Sequence, residues 1–136
     1  MPDKEIVFCM IAPTSEPVVA TLRATGLIRA AATFWVLDED GATIVETWPL
    51  AAGDTGSADH SIARAPTLLN HGWLTWDIEV CSLHAGQDTG AVEVIISQHG
   101  VSCPITKAQR WDVTGLPQCS AGSTIPIRRG VQFHTL

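Results

Sequence analysis

The residues from Trp73 to Cys81 alternate without a break. Leu74, Trp76, Ile78 and Val80 fall on one side, and Trp73, Thr75, Asp77, Glu79 and Cys81 on the other. A period of two residues marks an extended strand, because successive side chains point to opposite faces of a sheet. An apolar row opposite a mostly polar row predicts one covered face and one open face. No stretch carries a competing helical stripe at the 3.6-residue period over a window of about 11 residues.

Shorter runs repeat the signal. Ile6–Ile11 is apolar on both sides and stops before Pro13, so it reads as a first strand. In Pro17–Thr25 the β-branched start favours a second strand, with a short helix as the alternative; Gly26 ends it and an Ala-rich stretch, Leu27–Ala32, follows. Thr33–Leu37 and Ala42–Trp48 flank Asp38-Glu39-Asp40-Gly41, and the Asp-Gly pair predicts a hairpin turn. In that hairpin Phe34 and Val36 oppose Thr33, Trp35 and Leu37, while Ile44, Glu46 and Trp48 share a face. Ala91–Ser97 reads as a strand with Val92, Val94 and Ile96 inward, and Val101–Thr106 as its return, interrupted by Pro104. Ile125–Phe133 reads as the last strand, with a bulge or turn at Arg128-Arg129-Gly130. Between them, Leu50–Ser61 is small and polar with Gly53 and Gly56, and reads as a loop of about a dozen residues, a length often tied to function. Pro66 argues against a central strand in the segment that follows.

Strands separated only by Gly, Pro and Asp turns predict an all-β fold. The expected architecture is an antiparallel β-sandwich of about seven or eight short strands, with a small β-barrel as runner-up. A chain of 136 residues with 46% apolar side chains is suited to one domain, 1–136, with a core of its own. Its 8 basic and 14 acidic residues leave a net charge of −6, a poor match for nucleic-acid phosphates or anionic membrane surfaces.

The segment MPDKEIVFCMIAP has acids early and an apolar run too short for a secretion signal. The expected location is therefore cytoplasmic, or outside the cell by export without a cleaved signal peptide. Cys9, Cys81, Cys103 and Cys119 form no CxxC motif. In a chain of this size they read as four reduced, mostly buried side chains, with Cys103–Cys119 as the best alternative bridge.

Chemistry-bearing constellations are weak. Cys81-x-x-His84 with Cys103 and Cys119 has zinc-type ligands, but the second pair lacks a local knuckle. Asp38 and Asp40 begin a calcium-like pattern that no later acid completes, and Asp54, Asp59 and His60 could only add ligands from the neighbouring loop. No metal or cofactor is expected. There is no GxSxG elbow and no phosphate-binding glycine motif. Asp77 and Glu79 share a strand face about 7 Å apart, a separation open to acid/base work but more typical of a solvated face.

The aromatic inventory is unusual, with five Trp and no Tyr. Trp76 and Phe34 read as core. Trp48 and Trp73 flank the 50–61 loop, and an exposed Trp beside polar groups can stack on a sugar or anchor a protein interface. The candidate ligand-binding residues are therefore Trp48, Asp54, Asp59, His60 and Trp73, with Trp111 next. The expected function is non-catalytic binding of a protein or carbohydrate through loops at one end of the sandwich. The alternatives are a homo-oligomeric structural or assembly protein, and a small hydrolase using His or Cys with carboxylates.

Overall fold

The computed structural model describes residues 7–83, 89–106, 109–122 and 124–136, and in it two β-sheets enclose a common apolar core. The strands are β1 (Phe8–Ile11), β2 (Val18–Thr25), β3 (Ile28–Leu37), β4 (Ile44–Gly53), β5 (Gly56–Ser61), β6 (Trp73–Ser82), β7 (Gly90–Gln98), β8 (Val101–Ser102), β9 (Arg110–Val113) and β10 (Ile125–Thr135). One sheet has the order β1-β10-β6-β3-β4, and the other β5-β2-β7-β8 with β9 also paired to β7. Among the described residues the strand pairs are antiparallel except β1 with β10, and Ser82 at the end of β6 makes an isolated parallel bridge to Gln118. The sheets do not close on one another, so the fold is a sandwich and not a barrel.

The strand register shows how the layers arise. β2 and β3 are separated only by Gly26 and Leu27, and together they form a long central strand. β4 pairs with β3 while β5 pairs with β2; β6 pairs with β3 while β7 pairs with β2. Most of the sandwich is thus one three-stranded antiparallel sheet, creased across its middle and folded over its apolar face. The crease needs close backbone approach. Gly26 has φ +99°, and a Cβ there would lie 2.7 Å from the Thr89 carbonyl oxygen. A side chain at that position meets both a strained backbone and a steric block.

Alternation then places the core. Val18, Ala20, Leu22 and Ala24 of β2 face Ile28, Ala30, Phe34 and Val36 of β3 and Leu74, Trp76, Ile78 and Val80 of β6, all buried. The expected core positions Phe34 and Trp76 lie within this cluster.

Several expectations need correction. The 50–61 segment is no loop: residues through Gly53 extend β4, Gly56–Ser61 is β5, and only Asp54 and Thr55 turn, both at positive φ. Short side chains concealed the pattern. β5 is an edge strand whose Ser57, Asp59 and Ser61 are exposed, so alternation runs between polar and small residues. No bulge occurs at Arg128-Arg129-Gly130, where the β10–β6 register is continuous. The 101–106 return is a strand only at its first two residues. Pro66 starts a single helical turn, Pro66–Leu69, where its missing N–H costs nothing.

The cysteines are not reduced. Cys9 bonds Cys103, and Cys81 bonds Cys119. Cys103 leaves β8 still hydrogen-bonded to Ile96 of β7, beside the edge strand β1. Cys119 instead lies in a 3₁₀ turn pinned to the end of β6, where the Ser82 N–H donates to the Pro117 carbonyl. The alternative Cys103–Cys119 bridge does not form either, because each of the two finds a different remote partner.

The Asp38–Thr43 turn closes the β3–β4 hairpin. Asp40 accepts from the Ala42 and Thr43 N–H groups at 2.9 Å and from the Thr43 hydroxyl. These bonds, the hydroxyl first, hold its carboxyl below the ordinary 3.8. The stabilisation is full above that value and is lost as pH falls through it toward the lower folded value. Asp40→Ala is therefore expected to lower the melting temperature at neutral pH. The gap to the unsubstituted protein should narrow as the pH of the melts drops below 3.8. A gap that widens in acid would contradict this role.

Candidate functional site

Of the five residues singled out from the sequence, the structure brings together Trp48 and His60 and leaves Asp54, Asp59 and Trp73 apart from them. Trp48 points inward from β4 and is 5% exposed. Its ring stacks on Phe34 at 5.6 Å and on His60 at 4.1 Å. His60 Nε2 lies 2.6 Å from Glu46 Oε2, and Glu46 Oε1 accepts from the Ala63 N–H at 2.9 Å. This group ties β4, at the edge of one sheet, to β5, at the edge of the other. Ser61 follows His60 in β5, so it points to the opposite face and offers the imidazole no nucleophile. All four cysteine sulfurs are in disulfides, which leaves no thiol for the hydrolase alternative. His84 lies outside the described residues.

Asp59 sits on the outer face of β5, and Asp54 at the crease. Trp73 opens β6 at the far end of its sheet, opposite Leu37. β6 reaches the crease at Ser82, nine residues on, so Asp54 and Trp73 are roughly 30 Å apart along the strands. Trp111 packs edge-on against Trp76 at 6.2 Å and belongs to the margin of the core.

What Trp73 does join is the outer face of the β1-β10-β6-β3-β4 sheet. Strand register sets this face in rows. Gln132, Trp73 and Leu37 form one, and Gly130, Thr75, Trp35 and Thr47 the next. Arg128, Asp77, Thr33 and Pro49 follow, then Pro126, Glu79, Ala31 and Ala51. Trp35 and Trp73 are diagonal cross-strand neighbours, with backbones about 7–8 Å apart. Both are half-buried; the row through Trp73 also carries Leu37 and, beside Gln132, the exposed Phe8, while Trp35 stands among short or polar side chains in the rows beyond. Gly130 keeps the second row flat, since a Cβ there would fall 2.8 Å from Thr75 Cγ2.

Beyond the two indoles lies a shallow trough of about 580 Å³, lined by Ala31, Thr33, Pro49, Ala51, Asp77 and Glu79. Asp77 Oδ2 accepts from Arg128 Nε at 3.2 Å, while Asp77 Oδ1 is buried without a hydrogen-bond partner. Glu79 is exposed and makes no ion pair among the described residues. Past Glu79 the same face ends at Cys81, covered by its bridge to Cys119. Trp35 escaped the sequence reading, although a signal was present: with Phe34 in the core, alternation sends Trp35 outward.

A second concavity, of about 730 Å³, opens between β1 and the 96–104 segment. It is apolar, and Phe8, Met10, Val101 and Leu136 on its walls are each more than half exposed. Its most versatile polar group, Gln98, is already bonded to Ala12, Thr14 and Glu16. No helix among the described residues is long and apolar enough to cross a membrane. Comparisons with protein-family models, curated proteins and solved structures find no match to this chain, so the candidate site rests on its own geometry.

Proposed function

We propose that this domain is a non-catalytic binding module whose recognition surface is the outer face carrying Trp35 and Trp73. The single observation behind this reading is the pair of half-buried indoles set in line with the exposed Glu79 carboxylate on a flat sheet face. A core-facing Trp stabilises the fold; an outward one on a wet face gains most when a ligand covers it. The surface thus moves from the loops at one end to the sheet face, and from Trp48 to Trp35. The two disulfides favour work in an oxidising compartment, and so export over cytoplasmic residence.

A ligand-independent test is fragment mapping by amide chemical-shift changes. Hits are expected to cluster at residues 31–35, 47–51 and 73–79. Clustering at Met10, Val101 and Leu136 would overturn this reading. It would favour the assembly alternative, in which a second copy covers the apolar cleft.

A further inference from the structure

We infer that the ligand of this face is an extended, neutral polysaccharide; the inference rests on the outer face being the binding surface. Three features select this class. Indole rings present flat apolar surface to the C–H faces of sugar rings, and Trp35 and Trp73 offer two such surfaces on adjacent strands. Sugar hydroxyls donate and accept hydrogen bonds, and the trough supplies both kinds of partner. The exposed Glu79 carboxylate accepts, and the exposed Thr33 hydroxyl does either.

The third feature is charge. The face carries Asp77 and Glu79 against Arg128, which pairs with Asp77, and the exposed Arg29 one row further along β3, so its charges balance and an anionic chain gains no net attraction. That excludes uronic-acid and sulfated polymers as preferred ligands. Shape adds the word extended. The indoles and the trough lie in line along β6 from Trp73 to Glu79, a run of about 20 Å. The trough is shallow and lies along the sheet, so it suits several units of a chain lying flat and not one sugar held end-on.

Native affinity electrophoresis tests this on the full chain with hydroxyethylcellulose, xylan and galactomannan, and with polygalacturonate as the anionic comparison. At least one neutral polymer should retard the protein, and polygalacturonate should not. Trp35→Ala and Trp73→Ala should each weaken the retardation constant by about tenfold or more. Glu79→Gln and Thr33→Val alter exposed side chains without touching the core, and should weaken it several-fold. Val101→Ser, in the separate apolar cleft, should leave it unchanged.

If none of the three neutral polymers retards the protein, the carbohydrate assignment is wrong. It is equally wrong if polygalacturonate retards the protein as strongly as they do, or if the exposed-residue variants bind unchanged. Fragment hits that still gather around Trp35 and Trp73 would then leave the binding face standing with another ligand. Hits that avoid the face would remove the face itself.

Discussion

Trp48→Ala should lower the unfolding free energy by about 3–5 kcal/mol, the usual cost of emptying a buried aromatic site. Trp48 is 5% exposed between Phe34 and His60, so truncation removes two stacked contacts and leaves a void at the β4–β5 junction. The His60–Glu46 pair loses the ring that covers it, so its register with Ala63 should loosen too. Urea unfolding gives the measurement: a large drop in the midpoint with little change in slope. Trp73→Ala, on the outer face, should cost far less. Equal stability losses in the two variants would mean that Trp73 is as much a core residue as Trp48.

Replacing both Cys9 and Cys103 by Ala is expected to destabilise the domain by about 2–5 kcal/mol. The bridge spans 94 residues and joins β1, at the edge of one sheet, to the segment that follows β8 in the other. β1 is short and parallel-paired, with only β10 beside it. Without the bridge, the long loop it closes regains its freedom in the unfolded chain, and the edge strand loses its tether in the folded one. The Cys81–Cys119 bridge spans 38 residues. The logarithmic dependence on loop length puts its entropic effect within about 1 kcal/mol of the first. Hydrogen exchange separates the two local effects. Loss of Cys9–Cys103 should expose amides of β1 and β8, and loss of Cys81–Cys119 those near 116–119. Full retention of stability after removing Cys9–Cys103 would contradict the tethering role.

The parts of the fold legible in the sequence are those whose pattern is complete within one strand or one turn. β6 announces itself because its inner row is long and apolar and its outer row polar. The β3–β4 hairpin does so because Asp40 and Gly41 supply local turn chemistry. β5 stays hidden because an edge strand can alternate small with polar residues and present no apolar row. The candidate site was half legible for a related reason. Alternation assigns Trp73 to the polar side of its strand, and the same rule, applied to Trp35 beside Phe34, reaches its partner. It fails for Trp48, because the 50–61 segment passed for a loop and left that indole without a visible cover.

By itself, then, the sequence determined the class: strands of period two, sharp turns at Asp-Gly and Gly, and no amphipathic helix. These follow from interactions between near neighbours along the chain. Only the tertiary structure decided that one sheet is creased at Gly26 into two layers, and that Cys9 finds Cys103 and Cys81 finds Cys119. It alone decided that Trp48 is buried while Trp35 and Trp73 lie side by side on a wet face. Each of these depends on which remote segment lies across a given strand. Local alternation says that a residue has a side; only the packed partner says what covers it.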